Sequence, residues 1–286
     1  MPQQPQQPTS DLAAELALAS DAARRVGALQ MARYGGALRV RHKGPRDVVT
    51  EVDHASEALI LGAIRAAFPD DAILAEESGG HRGRRGKGAA PTEGSGRAWL
   101  VDPLDGTINY ANGVPFFSVS IGLAVDGRAA LGVVYDPARD ELYHALAGGG
   151  AHLNGTRVRL PVKEHLADCL ITLALPFRGW RARERTILRA TRVNRVLGSS
   201  ALALAYVANG RFDCFIQARG LSNWDVAAAG LIAREAGATV TDLAGGPWLD
   251  VARPSRSVAV VAAAARHHAT LMRLLAGEPL PAEAAA

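Results

Sequence analysis

The stretch between Phe117 and Gly155 constrains the fold more than any other part of the chain. "FSVSIGLAV" runs into Asp126-Gly127, "AALGVVY" runs into "DPARD", and "ELYHALA" leads on to Asn154-Gly155. Apolar runs broken by Asp-Gly and Asn-Gly mark antiparallel hairpins, because the favoured two-residue turns need residues that tolerate left-handed backbone. The spacing predicts an antiparallel meander over 116–160. Such a sheet must bury its apolar face against other elements, and the flanking segments supply them.

"SDLAAELALASDAARRVGALQMARY" places Leu12, Leu16, Val26 and Leu29 on a helical period behind a Ser10 or Asp11 cap. "KGPRDVVTEVD" reads as a Gly-Pro turn and a β-branched strand, a second helix is expected over 54–67, and "AILAEE" is a short strand. Residues 1–10, rich in Gln and Pro, are expected to be a disordered tail. The segment between Glu77 and Trp99 reads as a mobile surface loop. Its cations His81, Arg82, Arg84, Arg85 and Lys87 are first a solvated face and only second contacts for an anionic substrate. Beyond residue 165 strands and helices alternate, which is α/β texture. Two lobes are therefore expected, 11–164 with an antiparallel sheet and helices, and 165–286 with a mixed α/β arrangement.

The formal net charge of +4 is too small to argue for nucleic acid by itself, and it suits an anionic substrate no better than a solvated surface. Cys169 and Cys214 lie in apolar strand-like runs and read as buried reduced thiols. The amino terminus shows neither the basic nor the apolar region of a secretory signal, and no apolar run approaches the ~18 residues of a membrane span. A cytoplasmic protein without membrane contact is the expectation.

The chemistry gathers at acids placed on element ends. Glu76 closes a strand, Asp102 closes another, Asp105 follows in the turn, and Asp225 opens the helix "WDVAAAGLIAREAG". Taken singly, Asp102 and Asp105 are turn residues, Asp225 is a helix cap, and Glu76 is surface charge. Taken together, they are carboxylates that would repel unless cations neutralised them. Hard oxygen donors with few histidines favour Mg2+, or Mn2+, over zinc. Gly106 allows close backbone approach to a ligand, and Thr107 can begin a short helix whose amides suit phosphate. A metal beside an anion cradle points to phosphoryl chemistry. His267-His268 are adjacent rather than one helical turn apart and read as residues of a solvated terminal helix. Trp224 reads as a packing anchor, and Ala227, Ala228 and Gly230 as room for close helix packing.

Asp102-Pro103-Leu104-Asp105-Gly106-Thr107 with Asn109 resembles the first signature of the inositol monophosphatase family, and Trp224-Asp225 through Gly230 with Glu235-Ala236-Gly237 resembles the second. "AEES" at 75–78 is similar to the family's Glu-Glu element, and "VVTEVD" at 48–53 to its strand carrying a water-activating Asp. The likeness covers residues 11–276. It implies a layered αβαβα sandwich, a homodimer, lithium sensitivity and a Mg2+-dependent phosphomonoesterase with two or three metals. It further implies metal ligation by Glu76, Asp102, the carbonyl of Leu104, Asp105 and Asp225, with Asp53, Glu76 and Thr107 catalytic. Phosphate and substrate contacts would come from Asp105, Gly106, Thr107, Ser199, Ser200, Gln217 and Asp225. Where inositol-binding members carry a Glu seven residues before the second-signature Asp, this chain has Ala218, with Gln217 beside it.

The expected substrate is a small phosphorylated polyol or sugar, myo-inositol 1-phosphate first. Fructose 1,6-bisphosphate, histidinol phosphate, NADP and 3′-phosphoadenosine 5′-phosphate are alternatives of the same chemistry. A regulatory binding protein acting on RNA or the transcription machinery is the alternative from another class, motivated by the basic balance and the Arg/Gly loop.

Overall fold

The meander is present and forms the middle of the molecule. The computed structural model describes residues 12–44, 47–81, 96–176, 178–253 and 255–280. A small hairpin, β1 (Val40–Gly44) and β2 (Asp47–Thr50), comes first. An eight-stranded sheet follows, built from β3 (Ala72–Ala75), β4 (Gly79–His81), β5 (Arg97–Asp105), β6 (Ser118–Val125), β7 (Arg128–Asp136), β8 (Glu141–Leu146), β9 (Gly150–Leu153) and β10 (Thr156–Val158). Its order is β10-β9-β8-β7-β6-β5-β3-β4, antiparallel except for the β3–β5 pair. The turn residues Asp126, Gly127, Asn154 and Gly155 all have positive φ, the backbone that a tight two-residue hairpin demands. The second sheet, β12-β11-β13-β15-β14, is mixed; its strands are β11 (Leu170–Ala174), β12 (Val193–Asn194), β13 (Cys214–Leu221), β14 (Thr239–Thr241) and β15 (Val258–Ala263).

Helices fill the spaces that the sheets leave. Period-two alternation sends Trp99, Val101, Ile121 and Val133 to one face of the large sheet, where they meet α1 (Ala13–Arg33) and α2 (Glu51–Ala67) through Val26, Ile60 and Ile64. A short helix, α3 (Thr107–Ala111), follows β5 directly. Outside the second sheet lies α4 (Arg181–Ala190). Between the sheets lie α5 (Ser200–Ala205) and α6 (Asn223–Glu235), whose Leu204, Leu231 and Ile232 join Leu100 and Tyr143 below and Val258 and Val260 above. The final helix, α7 (Ala265–Ala276), packs with α4 on Ile171, Ile216 and Val261. The layers therefore run αβαβα.

The contact between α6 and the large sheet depends on absent side chains. Gly122 and Gly132 face each other across β6 and β7. A Cβ on Gly132 would sit 2.5 Å from the Ala228 carbonyl oxygen, and one on Gly122 would sit 2.9 Å from Ala227 Cβ. On the far side of α6, a Cβ on Gly230 would meet the Trp248 ring at 2.6 Å. The small residues of the "WDVAAAG" run thus set the spacing of two layers.

Several local expectations change. The second helix starts at Glu51, not residue 54, so Asp53 stands in the first turn of a helix and not on a strand. Thr50 and Asp53 form a capping box, which ends β2 earlier than its β-branched composition suggests. Gly79–His81 pair with β3 as an edge strand instead of belonging to a loop. Arg82, Arg84, Arg85 and Lys87 lie outside the described residues, as do Ser10 and Asp11. His267 and His268 are buried, not solvated: His267 Nε2 is 2.9 Å from the Lys163 carbonyl, and His268 Nε2 is 2.9 Å from Thr241 Oγ1. Cys169 and Cys214 are buried free thiols in the core beneath α7. None of the described helices is long and apolar enough to cross a membrane.

Candidate active site

Residues three apart on a strand point to opposite faces, yet Asp102 and Asp105 face the same cleft. The register explains this. Asp102 pairs with Ser120 and Asp105 with Ser118, so β5 carries one residue more than β6 between these pairs. That bulge restores a common face and bends the strand. Pro103, which has no N–H to leave unpaired, sits inside it, and its carbonyl accepts from Gln30 Nε2 at 2.8 Å. Asp105 is therefore still on the strand, not in a turn after it.

Neighbouring elements deliver the other acids. β3 runs parallel to β5 with Ala75 beside Val101, so Glu76 follows next to Asp102, and its N–H donates to the Val101 carbonyl at 3.1 Å. Asp225 is the third residue of α6 and closes a second capping box, accepting from the Ser222 N–H at 2.7 Å through Oδ2. The helix-cap reading of Asp225 is correct and compatible with a second role, since only one of its oxygens is so used. Carboxylate oxygens of Asp102, Asp105 and Asp225 lie within 4.8 Å of one another. They open on a cleft of about 160 Å³, lined also by Glu76, by Leu104, Gly106 and Thr107, and by Val48, Ile108 and Gly198.

The electrostatics of this cluster are unbalanced. Asp102 is 2% exposed, and burial followed by the charges of Glu76, Asp105 and Asp225 pushes its carboxyl well above the usual range. Asp225 is raised in the same way, first by burial and then by Asp105, with the Ser222 amide opposing. Asp105 is raised by burial but pulled back by the donors of α5. Those donors are the Ser199 hydroxyl, the Ser200 N–H at 3.2 Å and the Ala201 N–H at 2.8 Å. No lysine or arginine lines the cleft among the described residues. Hard, buried, mutually repelling oxygens with no internal counter-charge fit a divalent cation such as magnesium or manganese.

Beside the acids is a hydrogen-bonded chain ending on α2. Thr107 Oγ1 lies 2.8 Å from Asp53 Oδ1 and 3.0 Å from the Leu104 carbonyl. Asp53 Oδ2 accepts from the Thr50 N–H at 2.8 Å and the Thr50 hydroxyl at 2.6 Å, and burial raises its carboxyl against these bonds. Gly106 has φ +96°, and a Cβ there would be 3.1 Å from the Phe116 carbonyl oxygen, so the turn from β5 into α3 requires glycine. Asn109 pins α3 to the opposite loop by donating to the carbonyls of Phe116 at 2.7 Å and Leu197 at 2.6 Å.

Three expected substrate contacts stand elsewhere. Ser199 is buried and its hydroxyl is spent on Asp105. The Ser200 hydroxyl donates to Gln217 Oε1 at 3.2 Å. None of Ser199, Ser200 and Gln217 lines the cleft. Val48, Ile108 and Gly198, which line it, carry no chemical signal that a sequence could show. The capping residues Thr50 and Ser222 do have one, a Thr or Ser three positions before an Asp.

A layered αβαβα chain with a cluster of acids at its strand and helix ends defines a class of phosphatase. The sequence profile of the inositol monophosphatase family matches residues 11–278, and the chain belongs to that family, whose members depend on metals. It is 42% identical over 215 residues to the Nus factor SuhB of Pasteurella multocida, covering 73% of this chain and 77% of that one. It is 40% identical over 225 residues to the fructose-1,6-bisphosphatase/inositol-1-monophosphatase of Thermotoga maritima, covering 78% and 82%. The solved structure of the extragenic suppressor protein SuhB from Bartonella henselae superposes with a TM-score of 0.82 at 35% identity, covering 92% of this chain and 98% of that one.

Proposed function

We propose that the protein is a magnesium-dependent phosphomonoesterase acting on a small phosphorylated polyol or sugar, with myo-inositol 1-phosphate as the reference substrate. The observation that carries this reading is the meeting of Asp102, Asp105 and Asp225 within 4.8 Å, in the cleft that Thr107 also lines. Glu76, Asp102 and the Leu104 carbonyl would hold one cation, Asp102, Asp105 and Asp225 a second, and a third would lean on Glu76. Bound there, such cations neutralise phosphate charge, acidify a water and stabilise the leaving oxygen.

The chain's own groups do the rest. Thr107 Oγ1 directs its proton to Asp53, leaving a lone pair to accept one from an attacking water. Thr50 holds Asp53 in place through two bonds to the other carboxylate oxygen. The Gly106 and Thr107 amides, at the start of α3 on the cleft wall, would take phosphate oxygens. Asp105, held by the Ser199 hydroxyl and the Ser200 and Ala201 amides, would serve one metal and touch a substrate hydroxyl.

Phosphate release from myo-inositol 1-phosphate, measured with and without magnesium, tests the reading. Activity that requires the metal and vanishes in Asp102→Asn is expected; undiminished turnover by a folded Asp102→Asn protein ends it. Fructose 1,6-bisphosphate, histidinol phosphate, NADP and 3′-phosphoadenosine 5′-phosphate belong in the same screen, as does lithium as an inhibitor. Homodimerisation is part of the proposal and is read from solution mass. The likeness to proteins named Nus factor favours a second, regulatory role with RNA or transcription proteins. Absence of RNA binding at low ionic strength would remove RNA from that role.

A further inference from the structure

Asp102 and Asp105 are built into an inner strand and Asp225 into a capped helix, whereas Glu76 opens the turn 76–78 between β3 and β4. β4 ends the strand order, which leaves this turn at the rim of the sheet. Both β5 and α2 hold its backbone. The Glu76 N–H donates to the Val101 carbonyl on β5 at 3.1 Å, and the Glu77 N–H donates to Glu57 Oε2 on α2 at 2.9 Å. Glu57 is 4% exposed. A carboxylate withdrawn this far from water is costly unless it is engaged, and a hydrogen bond from an amide to a charged oxygen is roughly twice as strong as one to a neutral oxygen. What Glu57 engages is the amide next to a proposed metal ligand. Asp53, one helical turn earlier on α2, takes the Thr107 hydroxyl at 2.8 Å. Residues four apart share a helix face. The same face of α2 therefore fixes the Thr107 hydroxyl and the turn that carries Glu76, and sets one against the other.

Groups that orient a metal ligand from behind govern how well it closes on the ion, although they never touch it. Resting on the assignment of Glu76 to metal proposed above, we infer that Glu57 is a positioning residue for the cation site. Its bond to the Glu77 amide sets the angle at which the Glu76 carboxylate enters the cleft. Losing that bond leaves every ligand in the chain and weakens their hold on the cation.

Two variants separate the bond from the charge. Glu57→Gln keeps the reach and an acceptor oxygen but loses the charge, whereas Glu57→Asp keeps the charge and is one methylene too short. Manganese dissociation constants are measured by calorimetry on the substrate-free protein. Glu57→Asp is expected to raise the constant of at least one cation about ten- to a hundredfold, with Glu57→Gln close to the native protein. The rate of phosphate release by Glu57→Asp should recover at saturating metal, since the ligands themselves are intact. Without metal, the Glu77 amide should exchange with deuterium faster in Glu57→Asp than in Glu57→Gln or the native protein. Native affinity in Glu57→Asp, even alongside a lower melting temperature, would make Glu57 a purely structural residue and overturns the inference. So does a loss in Glu57→Gln equal to that in Glu57→Asp, because the charge and not the bond would then be acting. If no phosphate is released from any ester while the affinities follow the expected order, the phosphatase reading fails and the positioning role stands.

Discussion

Thr107 is the residue where geometry and chemistry are most tightly joined. Its hydroxyl has one proton and two acceptors within reach, Asp53 and the Leu104 carbonyl. A charged acceptor wins that competition, so the proton faces Asp53 and a lone pair faces the cleft. Thr107→Ala is expected to lower kcat by roughly 10²–10⁴ with little change in KM, the range for losing a positioned proton acceptor, whereas Thr107→Ser keeps most of the rate. Equal loss in both variants would show that the methyl group, not the hydroxyl, matters. The acids themselves were legible in the sequence because four of them at element ends, each ordinary alone, came together with Gly106 and Thr107 in two runs that resemble family signatures. The bond of the Ser199 hydroxyl to Asp105 was not legible, because a small polar residue beside a pocket has the same sequence appearance whether it binds a substrate or holds an acid. Only the direction of its hydroxyl separates the two.

At the scale of elements, the site depends on how closely α6 approaches the large sheet, since α6 carries Asp225 while β5 carries Asp102 and Asp105. Gly122 and Gly132 set that distance, and Ser120 Oγ donates to the Trp224 carbonyl at 3.0 Å to fix the start of the helix. Gly132→Ala would place a methyl 2.5 Å from the Ala228 carbonyl, which forces the helix outward. An overpacked core of this kind costs about 1–3 kcal/mol, so thermal unfolding should occur several degrees lower, with a drop in metal affinity because Asp225 moves with the helix. Unchanged metal affinity alongside lost stability would mean the strain is absorbed away from the site. The hairpins of β6 to β10 could be read directly, since each turn declares itself in two adjacent residues. The parallel entry of β3 beside β5, the bulge at Pro103, and the lie of α6 between two sheets could not, because they are set by contacts between distant segments. Asp53 shows the boundary case: "VVTEVD" favours a strand by composition, and the Thr50–Asp53 capping box makes its second half a helix.

For the whole molecule, the cluster ties folding to both pH and metal. Asp102, Asp105 and Asp225 are all raised when folded, chiefly by burial, and unfolding returns them to about 3.9. Above that value the metal-free folded state holds protons that the unfolded state has released. Stability must then fall as pH rises and the folded carboxyls are forced to ionise. Metal-free protein should therefore melt at a lower temperature at pH 8 than at pH 5.5. Magnesium competes with those protons, so its stabilisation should be small at pH 5.5 and approach about 2.7 kcal/mol at pH 8 when present at a hundredfold excess over its dissociation constant. In a chain of this size that corresponds to a shift of several degrees, readable by scanning calorimetry with and without chelator. Asp102→Asn should flatten the metal-free pH dependence and reduce the magnesium shift together, because one buried carboxyl feeds both. A metal-free protein that instead gains stability from pH 5.5 to 8, or a magnesium shift equal at both values, would mean that these acids are not the groups coupling metal to the fold.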